Sequence, residues 1–342
     1  MKGVIMAGGE GTRLRPLTVN RPKPMVPFCN KPLVEHVIEL LKVHGVKNIV
    51  ITLHYLPESV MSYFGGGREF DVEIQYCMEE RPLGTAGGVK NAEKYLDEAF
   101  VVISGDVFTN INLAEMLDFH KKKGSLLTIA LRRALDPTQF GIALLDGDQR
   151  VVRYLEKPSW DEVFSDLINM GIYIIEPEIL QYIPEREDYD FSKNLFPKLL
   201  ESKVPIYGWI ADEYYWSDIG NHVQYMKTHR DALDGKAGLK LNKVYRSIGR
   251  GVWIGRNVEI ERDVEIEPPV LIGDYARIRR GAKIGAYSII GNNTIIEPGV
   301  RTENSIIWDH TYVGYGARIS GAIAASKVKI GNKSAVCEGA VV

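Results

Sequence analysis

Residues 7–27, AGGEGTRLRPLTVNRPKPMVP, place two kinds of phosphate-binding group in one short segment. Arg13 carries a planar guanidinium that can bind two phosphate oxygens at once, and Lys23, between two prolines, supplies a compact positive charge. A glycine-rich backbone can approach a phosphate closely and donate N–H groups to it. The residues that form this backbone are Ala7, Gly8, Gly9 and Gly11. The segment therefore predicts a triphosphate-binding loop, and the alternative is a tight turn with two solvated cations.

Two common phosphate-binding motifs do not match this segment. The P-loop ends in Gly-Lys-Ser/Thr, whereas Gly11 is followed by Thr12 and Arg13. The dinucleotide-binding fingerprint requires a third glycine at the position of Leu14. If this loop binds phosphate, it does so by another arrangement, to which Thr12, between Gly11 and Arg13, would also belong.

Two aspartates lie where ligand-binding carboxylates are expected. Asp106 follows the apolar run at 101–103, and Asp218 lies in the segment Trp-Ser-Asp-Ile-Gly. Ligands of α/β proteins bind at the carboxyl ends of the strands, and Mg²⁺ takes one or two carboxylates together with substrate phosphates. Each aspartate alone is also compatible with a turn or a helix cap. Together they predict a Mg²⁺ site.

The elements that must position these groups show two different periodicities. Through residue 235, short β-branched runs alternate with amphipathic helical segments, which predicts an α/β domain with a largely parallel sheet. A helix is expected from Leu33 to His44, where Gly45 ends it. The predicted strands are Gly3–Met6, Asn48–Leu53, Val72–Tyr76, Phe100–Ser104, Leu126–Leu131, Ile142–Leu145, Val151–Glu156, Gly171–Ile175 and Ile206–Trp209.

The last hundred residues follow a period of six. Isoleucine occurs nine times at this interval from Ile248 to Ile296, and the pattern resumes after a one-residue slip at Ile307. No helix or hairpin has that period, whereas a parallel β-helix does. We therefore predict a catalytic domain at 1–235, a linker at 236–247 and a hexapeptide-repeat domain at 248–342. Because Val342 is itself a repeat position, we expect the chain to be truncated, to continue into another module or to be capped by a partner subunit.

Composition narrows the possible partners and location. The net charge of −2 provides no general attraction for nucleic acid or an anionic membrane, so anions must be bound by local groups. The three cysteines are widely spaced and fit neither a disulfide framework nor a zinc site. No apolar segment is long enough for a signal peptide or a membrane span. These features predict a cytoplasmic protein.

The loop residues resemble a known enzyme signature. The pattern Gly-Gly-x-Gly-Thr-Arg-Leu-x-Pro-Leu-Thr with Pro-Lys-Pro is similar to that of the sugar-1-phosphate nucleotidyltransferases, particularly the mannose-1-phosphate guanylyltransferase branch. The resemblance implies a Rossmann-like mixed sheet followed by a left-handed β-helix. It also implies that a sugar 1-phosphate attacks the α-phosphorus of a nucleoside triphosphate and expels pyrophosphate. In that reaction Arg13 would hold the β- and γ-phosphates, and Lys23 would lie near the transferred phosphoryl group.

The resemblance extends to the sugar side. Glu156 would accept hydrogen bonds from sugar hydroxyls, and Lys157 would bind the sugar phosphate. Gly141 and Asn169 match further sugar contacts. Met170 departs from the family, which more often has Ala or Thr there, so this edge of the pocket is less defined. Without the resemblance, Glu156 and Lys157 could be an exposed ion pair contributing about 0–1 kcal/mol.

The base-reading position is predicted to be Glu79. The family places its base reader five residues before the glycine of the segment Leu-Gly-Thr-Ala-Gly, and that segment also assigns Gly84 and Thr85 to nucleotide binding. A carboxylate only accepts hydrogen bonds, and guanine presents two adjacent donors. GTP is therefore favoured over UTP, dTTP or ATP, although Glu80 could be the reader instead.

Other functions and partners remain open from the sequence. The alternatives are a uridylyl-, thymidylyl- or adenylyltransferase acting on glucose 1-phosphate, or a non-catalytic regulatory subunit, although such subunits lose signature residues that this chain retains. Acyl transfer by the β-helix would depend on His310, its only histidine. The family resemblance also suggests fusion to or association with a phosphomannomutase, and stacked β-helix faces favour a homo-oligomer.

Overall fold

The computed structural model describes residues 1–342, and spatial contacts group them into two units. The first unit comprises 1–10, 21–25 and 33–218, and the second comprises 11–20, 26–32 and 219–342. The predicted domain limits at 235 and 248 were placed where the sequence pattern changes, whereas the two units are defined by spatial contacts. Two segments of the N-terminal loop are therefore assigned to the unit that contains the C-terminal repeats.

The first unit is built around a nine-stranded sheet. Numbered in chain order over the whole protein, the strands of this unit are β1 (Lys2–Met6), β4 (Asn48–Leu53), β5 (Glu73–Met78), β6 (Phe100–Ser104), β7 (Val107–Thr109), β8 (Leu127–Arg133), β9 (Gly141–Leu145), β10 (Val151–Glu156), β11 (Leu167–Ile175), β12 (Ile206–Ile210) and β13 (Trp216–Asp218). All nine predicted strands are present, with ends shifted by up to four residues. Strands β7 and β13, which form a separate pair, were not predicted.

The sheet is mixed, which confirms the Rossmann-like mixed sheet implied by the family resemblance and corrects the largely parallel sheet predicted from the alternation of strands and helices. The order is β10-β9-β11-β6-β1-β4-β5, and β8 pairs with both β11 and β12. Strands β6, β1, β4 and β5 are parallel to one another, but β11 is antiparallel to β6, β8 and β9. A five-residue connection joins β9 to β10 as an antiparallel hairpin. Such a short connection cannot hold the crossover that a parallel pair requires.

Helices cover both faces of this sheet. They are α1 (Leu33–Val43), α2 (Pro57–Phe64), α3 (Gly84–Asn91), α4 (Leu113–Lys123) and α5 (Phe196–Glu201), with a π-helix at Phe191–Leu195 and 3-10 turns at Lys23–Met25, Arg68–Phe70, Glu93–Tyr95, Trp160–Glu162 and Pro177–Tyr182. Two buried apolar clusters, one on each side of β1, share the sheet: Val4 belongs to one and Ile5 to the other. This alternation along β1 is what a strand buried on both faces requires.

The second unit is dominated by short stacked strands. They are β14 (Arg246–Gly249), β15 (Val252–Ile254), β16 (Glu259–Ile260), β17 (Glu265–Ile266), β18 (Val270–Ile272), β19 (Arg277–Ile278), β20 (Lys283–Ile284), β21 (Ser288–Ile290), β22 (Ile295–Ile296), β23 (Arg301–Glu303), β24 (Ile306–Ile307), β25 (Tyr312–Val313), β26 (Arg318–Ser320), β27 (Ile323–Ala324), β28 (Lys329–Ile330) and β29 (Ala335–Val336). The unit also contains β2 (Pro27–Phe28), β3 (Lys31–Pro32), α6 (His222–Leu233) and 3-10 turns at Thr12–Leu14 and Leu241–Lys243.

These strands form three parallel sheets that stack one coil upon the next, as the period of six predicted. Within one sheet Ile254, Ile272, Ile290 and Ile307 occupy equivalent, buried positions. The one-residue slip lies at a corner: Thr302 takes the inward position, and the spacing from Thr302 to Ile307 is five instead of six. Ile248 does not belong to a coil, because β14 runs antiparallel to β15 and leaves Ile248 about half exposed.

Loop segment 26–32 is packed within the same unit as these coils. The Trp308 indole N–H donates to the Tyr225 hydroxyl at 2.9 Å, and that hydroxyl donates to the backbone carbonyl of Pro27. The Asn30 side-chain amide donates to the carbonyl of Ile290 at 2.9 Å. Buried hydrogen bonds therefore fix the backbone of this segment against residues of α6 and the repeats.

None of the helices combines the length and apolar character needed to cross a membrane. All three cysteines are free thiols, with Cys29 and Cys77 buried and Cys337 exposed.

Candidate functional site

A cavity of about 300 Å³ lies at the carboxyl ends of the parallel strands of the first unit. Strand β1 delivers Ala7, Gly8 and Gly9 to it, β4 delivers Thr52, and β6 leads into Asp106. Parallel strands end at the same edge of a sheet, so side chains distant in sequence converge there. The other predicted residues that line this cavity are Lys23, Glu79, Gly84 and Thr85.

Lys23 lies beside two carboxylates. Its ammonium donates to Asp106 Oδ2, and Asp218 Oδ1 lies 3.5 Å from the same nitrogen. Pairing of β7 with β13 brings the two aspartates together, because Asp218 is the register partner of Val107, the residue after Asp106. Lys23 is only 7% exposed, so the ammonium is held among these groups rather than in water.

The protonation state of Asp106 depends on this contact. Burial alone would raise the pKa of Asp106, but the Lys23 charge and the hydrogen bonds from Lys23 and Ser104 outweigh that effect and hold the pKa below its usual value. The carboxylate is therefore ionised throughout the neutral range. An ionised carboxylate beside a buried ammonium gives this edge of the cavity a fixed charge pattern.

The donor set of this cluster suits a divalent cation bound with substrate. Asp106 and Asp218 already converge on one cation, the Lys23 ammonium. No group of three or more His, Cys, Asp or Glu side chains forms a metal cage. Mg²⁺ needs no such cage, since it usually takes one or two carboxylates and completes its shell with water and phosphate oxygens. The residues therefore fit Mg²⁺ that is bound together with a nucleotide.

Glu79 lines the same cavity and is 9% exposed, whereas the neighbouring Glu80 is exposed. Its Oε2 accepts a hydrogen bond from the Leu83 backbone N–H at 3.1 Å. The His54 ring contacts the Glu79 carbonyl through Nδ1 at 2.9 Å. Burial raises the pKa of Glu79, although the Leu83 hydrogen bond and the nearby His54 partly oppose the increase.

The first turn of α3 is held by residues of a distant segment. Thr85 Oγ1 donates to Asp190 Oδ2 at 2.8 Å, and Asp190 also caps the π-helix through the backbone N–H groups of Ser192 and Lys193. Gly84 has a φ of +71°, and a Cβ there would lie 2.5 Å from a carboxylate oxygen of Asp188. Both the backbone conformation and the space therefore require glycine at 84.

The predicted sugar-contacting residues form a second group in the first unit. Gly141 and Glu156 are register partners on β9 and β10. A Cβ at Gly141 would overlap the Tyr154 hydroxyl and approach Glu156 Oε2 to 2.6 Å. The Asn169 amide donates to the hydroxyls of Tyr154 at 3.1 Å and Tyr173 at 2.9 Å. Asn169 is therefore positioned by two tyrosines within this group.

Glu156 and Lys157 differ in their surroundings. Burial and the charge of Asp190 raise the pKa of Glu156, while Lys157 and Ser192 oppose the increase. Lys157 is exposed and has a φ of +49°, a left-handed conformation that is uncommon for a residue with a side chain. Such strain at a strand end occurs frequently at ligand-binding positions. The two residues are thus not the simple exposed ion pair that the sequence allowed.

Gly11, Thr12 and Arg13 belong to the second unit. Gly11 has a φ of +66° and precedes the 3-10 turn that carries Thr12 and Arg13. The Thr18 hydroxyl donates to the Gly11 carbonyl at 2.8 Å, which fixes this turn, and the Arg13 side chain is exposed. The role of Arg13 in phosphate binding remains a prediction. His310, the candidate for acyl transfer, is exposed on the repeats with Asp309 at 3.9 Å.

The structure adds residues that the sequence did not single out. Ser104 donates to Asp106, Asp190 links Thr85 to the π-helix, and Ser192 and Tyr154 share a hydrogen bond of 2.8 Å beside Asn169. Asp190 carried a usable local signal, because Asp commonly caps a helix N-terminus. The others are ordinary polar residues whose partners lie far away in sequence, so no local pattern distinguishes them.

Comparisons with known proteins agree with this geometry. Residues 2–235 match the nucleotidyl transferase family, and residues 249–342 match the left-handed β-helix (LbH) domain of EIF2B subunit epsilon. A UTP--glucose-1-phosphate uridylyltransferase of Synechocystis sp. is 36% identical over 93% of this chain and 86% of its own length. A mannose-1-phosphate guanylyltransferase of Mycobacterium tuberculosis is 31% identical over 92% of this chain and 82% of its own.

A solved structure is similar as well. A crystal structure from Bacillus anthracis, described as a glucose-1-phosphate thymidylyltransferase in complex with sucrose, superposes with a TM-score of 0.61 at 26% identity. The match covers 66% of this chain and 93% of that one.

Proposed function

Because this chain belongs to the nucleotidyl transferase family, as a sugar-1-phosphate nucleotidyltransferase with a C-terminal left-handed β-helix, we propose that it transfers GMP from GTP to mannose 1-phosphate. The products are GDP-mannose and pyrophosphate. An oxygen of the sugar phosphate attacks the α-phosphorus of the nucleotide, and the bond from that phosphorus to the β-phosphate oxygen breaks.

One observation carries this proposal. The cavity that contains the glycine loop also contains Lys23 with Asp106 and the buried carboxylate of Glu79. Phosphoryl transfer depends mainly on positioning and on charge stabilisation. A preformed ammonium–carboxylate cluster can provide both. Lys23 then neutralises charge that develops on the transferred phosphoryl group. Arg13 and Lys157 are assigned to the nucleotide and sugar phosphates respectively, as the family motif implies.

Mg²⁺ is part of the proposal, with Asp106 and Asp218 as its ligands. When bound, the ion would neutralise phosphate charge during displacement of pyrophosphate. Lys23 at present contacts both carboxylates, so we expect it to turn toward the phosphates when the ion and nucleotide bind. Mg²⁺ would then replace the Lys23 ammonium as the cation that the two carboxylates contact.

GTP is preferred because Glu79 is a buried acceptor. Its two carboxylate oxygens can accept from the ring N–H and the exocyclic amine of guanine. Exposed Glu80 is poorly placed to replace it, since a base bound in the cavity would be read by a residue that lines the cavity. Mannose is preferred on the strength of several guanylyltransferase relatives, including one of Arabidopsis thaliana that is 33% identical over 93% of this chain.

A second candidate is transfer of UMP to glucose 1-phosphate. The Synechocystis relative supports it, because its identity to this chain exceeds that of the mycobacterial guanylyltransferase at similar coverage. Both candidates use the same phosphate chemistry and differ only in the base and sugar pockets.

A pyrophosphate-release screen tests the proposal. GTP, UTP, dTTP and ATP are each combined with mannose, glucose and N-acetylglucosamine 1-phosphates in the presence of Mg²⁺. We expect the highest kcat/KM for GTP with mannose 1-phosphate. Highest efficiency for UTP with glucose 1-phosphate would replace the first candidate by the second. Absence of pyrophosphate release from every pair would contradict a catalytic role and favour a regulatory subunit.

Assembly and location are proposed from the sequence alone. We expect a homo-oligomer, association with a phosphomannomutase, and function in the cytoplasm. Light scattering of the purified chain, with and without a phosphomannomutase, measures the first two. A monomer at all concentrations would contradict the oligomer.

A further inference from the structure

The Glu79 carboxyl group is held in one orientation. Oε2 accepts from the Leu83 backbone N–H at 3.1 Å, which fixes the rotation of the group. Oε1 lies against Gly88, where a Cβ would be 2.5 Å from it, so the missing side chain of Gly88 is what leaves room for this oxygen. A Cβ at Gly8 would lie about equally far from both oxygens, 3.6 Å from Oε1 and 3.7 Å from Oε2. The two oxygens are inequivalent because Oε2 is bonded to the Leu83 backbone and Oε1 is packed against Gly88.

We propose that Glu79 reads the base in two protonation states: as a carboxylate it accepts two hydrogen bonds from guanine, and as a carboxylic acid with its proton on Oε1 it pairs with uracil. The inference rests on the nucleotidyltransferase activity proposed above and adds a second substrate preference to the same site. The ratio of GTP to UTP efficiency is then set by the ionisation of one side chain.

The backbone contact decides which oxygen carries the proton. The Leu83 N–H needs an acceptor, so Oε2 stays unprotonated and the proton of the acid is on Oε1. The acid thus presents a donor at Oε1 and an acceptor at Oε2. Uracil matches this pair, because its ring N–H donates to Oε2 and its adjacent carbonyl oxygen accepts from Oε1. The carboxylate presents two acceptors, which match the two neighbouring donors of guanine.

The surroundings of Glu79 favour the acid form more than water does. Burial raises the pKa of Glu79 and the charge of Asp188 adds to the increase, while the Leu83 hydrogen bond and His54 oppose it. The acid form is therefore populated at a higher pH than for an exposed glutamate. The titratable and charged groups that adjoin Glu79 or line the same cavity are His54, Cys77, Lys23, Asp106, Asp188 and Asp190.

The test compares kcat/KM for GTP and UTP with one sugar 1-phosphate between about pH 5 and pH 8. Ionisation of the phosphates, of Lys23 and of the aspartates affects both nucleotides alike, so those effects cancel in the ratio. We expect the GTP-to-UTP ratio to rise with pH through one ionisation between two plateaus. A bidentate base contact discriminates by roughly five- to two-hundredfold, which sets the expected separation of the plateaus.

Glu79→Gln is the matched variant. Its amide oxygen can accept from Leu83 and its NH₂ can replace the protonated Oε1, so the variant mimics the acid form at every pH. We expect its GTP-to-UTP ratio to be independent of pH and to equal the low-pH ratio of the wild type. Glu80→Gln removes an exposed neighbouring carboxylate, and we expect it to leave the wild-type profile unchanged.

Three results would overturn the inference: a wild-type ratio that does not change with pH, a pH-dependent ratio that persists in Glu79→Gln and thereby shows that another group titrates, or a profile that shifts in Glu80→Gln. A wild-type ratio that does not change with pH overturns the inference even if Glu79→Gln does not fold. Failure of the proposed function is a different result, because no nucleotide would then release pyrophosphate at any pH.

Discussion

Replacing Asp218 by Asn should abolish turnover while leaving the fold nearly as stable as before. The substitution keeps the size of the side chain and one acceptor oxygen but removes the negative charge. If Asp218 and Asp106 together bind Mg²⁺, the variant loses one of only two protein ligands. The two consequences, on stability and on activity, can be estimated separately from the structure.

The stability cost follows from the contact with Lys23. Asp218 Oδ1 is 3.5 Å from Lys23 Nζ, and the Asp218 side chain is 25% exposed. A long, partly solvated ion pair of this kind contributes about 0–1 kcal/mol. For a chain of this size that corresponds to a change in Tm of no more than about 4 °C. Asp106→Asn should cost more, about 1–3 kcal/mol, because Asp106 accepts hydrogen bonds from both Lys23 and Ser104.

The activity cost is much larger, because charge stabilisation in a phosphoryl-transfer site acts directly on the reacting groups. Loss of one such group typically lowers kcat by about 10²–10³-fold. The assay is pyrophosphate release at saturating nucleotide, with Mg²⁺ varied over a wide range and Tm measured on the same samples. Near-normal kcat of Asp218→Asn at ordinary Mg²⁺ concentrations would refute the assignment of Asp218 as a ligand. A large loss of Tm would show that the residue acts through the fold.

Three further changes test other parts of the structure. Gly141→Ala should raise KM for the sugar 1-phosphate at least tenfold with little change in KM for the nucleotide, because the new Cβ would overlap the Tyr154 hydroxyl, and Gly147→Ala, with open space around it, is its control. Tyr225→Phe should lower the free energy of unfolding by about 1–3 kcal/mol for each buried partner that it leaves unsatisfied, measured by denaturant unfolding. Ile284→Asp should bury an unpaired charge and unfold the repeats, seen as loss of β-sheet circular dichroism, and melting like wild type would contradict the period-six interpretation.

The sequence was most informative where the chemistry is local. Glycines after a buried strand, followed by a cation, identified the loop, and the structure places Gly8, Gly9 and Lys23 at one cavity. The six-residue period was equally informative. Each coil repeats the same inward-facing position, so the pattern can be recognised from neighbouring residues alone. The prediction from this period fails at Ile248, because β14 pairs antiparallel with β15. Ile248 therefore continues the six-residue spacing without belonging to a coil.

The sequence was least informative about pairings between distant segments. Nothing local to Asp106 or Asp218 shows that β7 and β13 pair, yet that ladder is what brings the two carboxylates to one ammonium. The same holds for Asp190, which bonds to Thr85 across more than a hundred residues. The alternation of strands and helices did not show the antiparallel strands, which only the family resemblance implied, since β-branched runs indicate a strand but not its direction.

Glycines show most clearly why a site cannot be fully read from its sequence. Gly84 is required by its backbone, which has a positive φ, and a turn motif can suggest such a requirement. Gly88 and Gly141 have no such conformation, and what restricts them is a partner: Glu79 in one case, and Tyr154 with Glu156 in the other. Glycine occupies all three positions, but only the fold shows whether it is needed for its backbone conformation or for the space that a side chain would fill. The proposed base and sugar pockets therefore depend partly on the absence of side chains, and we expect substitutions at 88 and 141 to alter substrate choice.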